Sequence, residues 1–191
     1  KEDFKAKAKA KYKNSSPERG IQTLYRVTMR NHLKLSDIAD TKANILLSVN
    51  AIIISLAIAN LIPDLDTPGN KQIMIPTLIL VLFSVASIVG SILSTRPNVT
   101  SGEFTREQVK NKEVNVLFFG NFHQMPYDQF EWAMQEIIKD QNVVYDSLTK
   151  DLYYLGIVLN KKYRMLRITY TIFMIGIILS VLSFILMFYL M

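Results

Sequence analysis

HLKLSDIADTKANILLSVNAIIISLAIANLIP, residues 32–63, joins a charged amphipathic segment to a membrane-length apolar segment without a break. No charged side chain occurs in residues 43–62. An α-helix of that length rises about 30 Å, which is the thickness of a bilayer's hydrocarbon core. The sequence therefore predicts a cytoplasmic entry helix over residues 20–42 that continues into a first transmembrane helix over residues 43–62.

A polar stripe enters this predicted span. Its members recur every fourth residue, a spacing that keeps neighbours on one side of a helix while the line drifts slowly around the axis. They are His32, Ser36, Asp40, Asn44 and Ser48. Because polar groups facing lipid are costly, we expect the stripe to face another helix or a wet cavity. Two interpretations stay open, hydrogen bonding between packed helices and a water or ion path along the axis of an oligomer.

Two further stretches are uncharged and longer than twenty residues, IMIPTLILVLFSVASIVGSILST at 73–95 and ITYTIFMIGIILSVLSFILMFYLM at 168–191. Each predicts a transmembrane helix. The predicted fold class is an all-α membrane protein with three transmembrane helices. A cytoplasmic helical region over residues 96–167 separates the second span from the third, and the third span continues a long cytoplasmic helix.

Basic residues predict the orientation of these spans. Lys and Arg number eleven in residues 1–42, one in residues 63–72 and ten in residues 96–167. The positive-inside rule then places the amino end in the cytoplasm and the carboxyl end on the other side of the membrane, with residues 63–72 as an extracytoplasmic turn. Residues 1–19 form a basic linker whose lysines alternate mainly with alanine and are not interleaved with a series of stacking aromatics, so the expected partner is a lipid bilayer and not a nucleic acid.

The region between the second and third spans predicts structure of its own. Thr105-Arg106-Glu107-Gln108 has the form of a capping box, and VNVLFF at 114–119 is ambiguous between strand and helix. Pro126 precedes a helix predicted over residues 127–139, whose apolar face packs a small core. From Val143 helical spacing runs unbroken into the third span. The apolar face consists of Phe130, Met134, Ile137 and Ile138, with Trp132 beside it.

Catalytic chemistry is not predicted. The chain has no cysteine and only two histidines, which do not stand at ligand spacing, and it lacks a glycine-rich phosphate loop. We expect no catalytic residue, no metal, no cofactor and no enzyme activity. The basic cluster Lys161, Lys162, Arg164 and Arg167 is interpreted as an orientation signal. Candidates for contacting an anionic ligand are Arg26, Arg30, Arg96 and Arg106.

Residues 25–55, YRVTMRNHLKLSDIADTKANILLSVNAIIIS, contain the pattern LSxxADxKAxxLLxxNA. STRPN at 94–98 and FFGNFHQM at 118–125 accompany it. Together these segments resemble the bacterial Pycsar effector transmembrane domain, over roughly residues 20–191. Within this segment, three further candidate functional residues are Asp37, Lys42 and Asn50.

This resemblance implies an antiphage role. A partner cyclase makes a cyclic pyrimidine mononucleotide, and the membrane effector, expected to be a homo-oligomer, responds by impairing the inner membrane. Some similar proteins carry an amino-terminal HD-type phosphohydrolase domain, whose histidine and aspartate ligands have no counterpart here. The alternative is a membrane anchor and oligomerisation platform for a catalytic domain upstream.

Overall fold

The computed structural model describes residues 17–64, 71–97 and 102–190, with the side chains of residues 17–18, 61–64 and 71–72 left aside. In these ranges the regular secondary structure is all helical, and no strand is present. The predicted linker and the predicted turn fall largely outside them. The helices are α1 (Pro17–Asp64), α2 (Lys71–Thr95), α3 (Arg106–Lys110), α4 (Tyr127–Ile138) and α5 (Gln141–Tyr189), with a 3₁₀ turn at Phe119–Asn121.

Three of these helices, α1, α2 and α5, are long and apolar enough to cross a membrane. The predicted entry helix and first span are one continuous helix, α1. Likewise, α5 runs without interruption from Gln141 through the third apolar stretch, as the unbroken spacing predicts. The all-helical fold class with three membrane-length helices is therefore confirmed.

The chain divides into two compact units, and α1 and α5 contribute residues to both. Unit 1 takes the described residues of Lys1–Lys34 and Asn98–Ile157, and unit 2 those of Leu35–Pro97 and Val158–Met191.

Unit 1 has an apolar core. Its buried members come from α3, α4 and the segments beside them, and are Phe104, Val109, Val116, Ala133 and Ile137. The capping box is confirmed, since Thr105 Oγ1 accepts from Gln108 N and Gln108 Oε1 accepts from Thr105 N.

Helix α4 was predicted to within one residue, but one member of its apolar face was wrong. Ile138 is 66% exposed, whereas Ile137 is buried. Successive helical residues are separated by about 100°, so both cannot face one small core. VNVLFF forms neither of the two structures considered, because the described backbone over 114–118 is a series of turns and bends that leads into the 3₁₀ turn.

Unit 2 is built from close helix contacts. A Cβ added at Gly176 of α5 would overlap Cβ of Phe83, and one added at Gly90 of α2 would overlap Oγ1 of Thr169. Glycine at these two positions lets the second and third apolar helices approach more closely than any larger side chain permits. In contrast, the outer surface of unit 2 carries large apolar side chains, among them Ile52, Leu82 and Ile185, each 60% exposed.

Candidate functional site

The polar stripe divides between two faces of α1. Residues four apart advance about 400° around a helix, so the line drifts roughly 160° between His32 and Ser48. His32, Ser36 and Asp40 are half-buried, whereas Asn44 and Ser48 are exposed. The stripe is therefore two structural features, an inward part followed by an outward part.

His32 lies in unit 1, and its hydrogen bond is local. Its Nδ1 lies 2.9 Å from the carbonyl oxygen of Thr28, one turn earlier in α1. A Cβ at Gly156 of α5 would lie 3.8 Å from its Nε2, so the ring packs against the helix backbone of α5 at a glycine.

Ser36 and Asp40 share one cation, Lys162 of α5. Lys162 Nζ donates to Asp40 Oδ2 at 2.7 Å, to Asp40 Oδ1 at 2.9 Å and to Ser36 Oγ at 2.9 Å. The side chains of Lys162 and Asp40 are 20% and 34% exposed, so water screens the pair only partly. These three residues, which we call the Lys162 clamp, fasten the start of the first apolar helix to the start of the third.

Two tyrosines of α5 reinforce the same junction. Tyr163 Oη donates to the carbonyl oxygen of Leu35 at 3.1 Å, and Tyr170 Oη donates to that of Lys42 at 3.3 Å. Ala39, Ala43 and Leu166 are buried between these contacts, with Tyr163 packed against them. The junction therefore combines an ion pair, hydrogen bonds and a small apolar contact.

Sequence reasoning missed this clamp, since it interpreted Lys162 only as part of an orientation signal. The charge pattern of the sequence nevertheless indicates this ion pair. Asp40 is an acidic residue at the start of an apolar stretch, where a carboxylate requires a cation at the same depth. Lys162 stands at the start of another such stretch.

Asn50 is the innermost polar residue of α1, fully buried at 0% exposure. Its Nδ2 donates to the carbonyl oxygen of Leu46 at 2.8 Å and to Ser87 Oγ of α2 at 3.1 Å. Ser84, Ser87 and Ser91 follow one line of α2 and are at most 1% exposed. Asn50 thus joins the first apolar helix to a hydroxyl-bearing face of the second.

Asn44 and Ser48 differ from Asn50 because their side chains point away from unit 2's interior. Ser48 Oγ donates to the backbone carbonyl of Asn44 at 2.9 Å. The side-chain amide of Asn44 has no hydrogen-bond partner among the described residues. Asp37 and Lys42 of the motif segment also have exposed side chains.

The four candidate arginines are exposed and do not belong to one unit. Arg26, Arg30 and Arg106 lie in unit 1, and Arg96 in unit 2. The guanidinium of Arg106 stands 4.9 Å from the centre of the Trp132 ring, a cation–π contact. Among the described residues, no group of three or more His, Cys, Asp or Glu side chains could hold a metal.

One carboxyl of unit 1 has a perturbed acidity. Asn115 Nδ2 donates to Asp151 Oδ1 at 2.9 Å. Burial raises the pKa of the Asp151 carboxyl above its usual value of 3.8, and the hydrogen bond from Asn115 opposes this rise. Asp151 precedes the uncharged stretch of α5 by more than four helical turns and lies outside the predicted span.

Comparison with known proteins agrees with the resemblance seen in the sequence. A family model described as the Pycsar effector protein domain matches residues 23–189. Neither the curated proteins nor the solved structures contain a match to this chain. The family match includes the α1 motif, the Lys162 clamp and Asn50 with Ser87, as well as nearly all of the three membrane-length helices. The chain therefore belongs to the Pycsar effector family.

Proposed function

We propose that this protein is an inner-membrane effector of cyclic-nucleotide-signalled antiphage defence, and that it impairs membrane integrity as an oligomer when activated. Membership of the Pycsar effector family supports the setting. The observation that carries the mode of action is the exposure of Asn44 and Ser48 on a membrane-length helix.

Of these outward polar groups, the Ser48 hydroxyl donates to the backbone carbonyl of Asn44, whereas the Asn44 amide requires a partner. Hydrocarbon offers no hydrogen bonds, so a polar side chain in an apolar span is covered by protein or by water. The interior of unit 2 encloses the serine hydroxyls of α2 and the amide of Asn50, whose nitrogen donates to Ser87. Other subunits, or water held between subunits, cover Asn44 and Ser48. A rearrangement that changes this cover opens a path for ions or disorders the adjacent lipid.

The Lys162 clamp couples a movement of α5, caused by a signal, to the contacts that cover Asn44 and Ser48. Helix α5 is continuous from Gln141 to Tyr189, and it holds α1 through Asp40 and Ser36. A shift of α5 therefore displaces α1 one turn before Asn44. In this proposal the amino end and residues 96–167 are cytoplasmic, and the carboxyl end is extracytoplasmic.

The signal in this proposal is a cyclic pyrimidine mononucleotide from a partner cyclase. Its phosphate is anionic, and the basic side chains assigned to it are Arg26, Arg30 and Arg106, which belong to unit 1. The chain acts by binding and rearrangement, without catalysis and without a cofactor.

Leakage from sealed vesicles tests the mode of action. The full chain is inserted into liposomes of bacterial lipid loaded with a self-quenched dye, and cyclic CMP or cyclic UMP is added, with cyclic AMP as the purine control. Dye release by a pyrimidine nucleotide is expected. In cells, co-expression with a pyrimidine cyclase should admit propidium iodide. If inserted and folded protein releases no dye at any nucleotide concentration, and the cells stay impermeable, the proposal is wrong.

The alternative function is a membrane anchor and oligomerisation platform, for which Asn44 and Ser48 serve only helix packing. The double variant Asn44→Ala and Ser48→Ala separates the two. Under the alternative it alters assembly and leaves permeability unchanged, whereas an effector whose leak depends on this face shows changed conductance. Ile45→Ala with Val49→Ala is the matched control, since those exposed side chains lie on the adjacent apolar face.

A further inference from the structure

Within the first apolar segment, α1 has three distinct faces. One is buried against the rest of unit 2 and contains Ala43, Leu46 and Asn50. A second carries large apolar side chains that are 40–60% exposed, namely Ile45, Val49, Ile52 and Leu56. The third, which we call the outward polar face, is exposed and small, and consists of Thr41, Asn44, Ser48, Ala51 and Ser55.

The outward polar face has the spacing of a helix–helix seam. Its members are separated by three, four, three and four residues, which averages about 3.5 residues and keeps one line facing a partner helix. At about 100° per residue, the centre of the outward polar face lies about 90° from that of the large apolar face and about 150° from that of the buried face. The outward polar face is therefore remote from the buried face and lies directly beside the large apolar face.

We infer that the outward polar face is where a second copy of this chain packs, in parallel and in register, with Asn44 of one copy next to Asn44 of the other. This inference deepens the proposed function and rests on it, because it requires the chain to span a membrane as an oligomer. It assigns the interface to five named positions.

The chemistry of the face favours an identical partner. The Asn44 amide contains both donors and an acceptor, and it has no hydrogen-bond partner among the described residues. Copies of one chain insert with the same orientation, so parallel pairing places like residues at like depth. Asparagine is complementary to itself, because one amide donates while the other accepts. Lipid tails offer neither group.

Side-chain size favours the same partner. Ser48, Ala51 and Ser55 are small, and small side chains let two helix backbones approach closely enough for their hydroxyls to bond across the seam. Ile45, Val49 and Ile52 on the next face are large and apolar, which suits lipid. The buried face is already engaged, since Asn50 bonds to Ser87 of the same chain.

Single-cysteine cross-linking tests the inference directly, because residues 1–191 contain no cysteine. Full-length variants are placed in sealed vesicles without nucleotide and treated either with an oxidant or with a short bismaleimide. Only variants that insert at the wild-type level are compared. The variants of the outward polar face are Ser48→Cys, Ala51→Cys and Ser55→Cys, and the matched controls are Val49→Cys, Ile52→Cys and Leu56→Cys.

Dimers should form at the three polar-face positions about tenfold faster than at the three controls, because a disulfide requires Cα atoms within about 7 Å. Equal rates on both faces, faster reaction on the large apolar face, or no dimer with either reagent would each overturn the interface.

Leakage is measured separately on the wild-type chain. Cross-links without nucleotide-dependent leakage leave the interface standing and reject the effector function. Nucleotide-dependent leakage without polar-face cross-links leaves the effector function standing and rejects the interface.

Discussion

Unit 1 buries mainly apolar side chains, whereas most of the side chains that unit 2 buries carry a hydroxyl or an amide. The core of unit 1 includes Phe104, Val116 and Ile137. Unit 2 instead encloses a polar set, namely Asn50, Thr77, Ser84, Ser87, Ser91, Ser94, Thr169 and Ser180. Its exposed surface has the large apolar residues that a water-soluble unit would hide.

The proposed placement of unit 2 in lipid and of unit 1 in water explains this difference. In water, burying apolar surface is the main stabilising contribution, at about 25 cal/mol per Å². Between helices in lipid that contribution is absent, because acyl chains are as apolar as leucine. Close packing and hydrogen bonds must then hold the helices together. Unit 2 has both, in Gly90 and Gly176 and in the Asn50–Ser87 bond.

The largest expected effect comes from adding one methyl group inside unit 2. In Gly176→Ala the new Cβ overlaps Cβ of Phe83, and since the backbone fixes both atoms, the two helices must separate. We expect a destabilisation of about 1–3 kcal/mol, measured by SDS-induced unfolding of the full chain in mixed micelles. Faster amide exchange in α2 and α5 should accompany it.

Gly20→Ala is the matched control, because Gly20 is also a helical glycine but no atom lies within 4 Å of its added Cβ. It should stabilise α1 by at most about 1 kcal/mol through helix propensity. If Gly176→Ala proved as harmless as Gly20→Ala, close packing would not be what holds unit 2 together.

A smaller effect is expected for the hydrogen bond in the interior of unit 2. A double-mutant cycle with Asn50→Ala and Ser87→Ala should give a coupling free energy of about 0.6 kcal/mol, with about 1.7 kcal/mol as the upper limit seen for such bonds in membranes. Unfolding in mixed micelles measures it. Asn50 with Ser94 is the control pair, since both are buried but no bond joins them. Equal coupling in the two cycles would contradict a specific role for the bond.

The sequence predicted those features that depend on short stretches. Three uncharged runs of twenty residues or more predict the three membrane-length helices, and Thr105 with Gln108 predicts the capping box that the structure contains. These signals are local, because each rests on residues that are neighbours along the chain. The unbroken spacing from Val143 likewise predicted that α5 would be one helix.

Features that join distant residues could not be predicted in this way. Asp40 and Lys162 are 122 positions apart, and Asn50 and Ser87 are 37 apart. The four-residue spacing of the polar stripe identified its members, but it did not show that Asp40 faces inward while Asn44 faces outward. That division requires knowing which side of α1 the other helices occupy.

The smallest expected effect concerns the opposite case, a polar group partly buried in unit 1. Burial raises the folded-state pKa of Asp151 above its usual value of 3.8, so the folded chain binds a proton more tightly than the unfolded chain does. The stability from this group is therefore present below pH 3.8 and is lost as pH rises through the folded-state pKa.

Asp151→Asn, which keeps an oxygen to accept from Asn115 Nδ2, should protect unit 1 slightly at pH 7 and lose that advantage as the pH falls towards 3.8. Amide exchange of α4 and residues 141–157 across this pH range measures it, with the exposed Asp146→Asn as control. An advantage that grew on acidification would mean that the Asn115 hydrogen bond, and not burial, sets the acidity of Asp151.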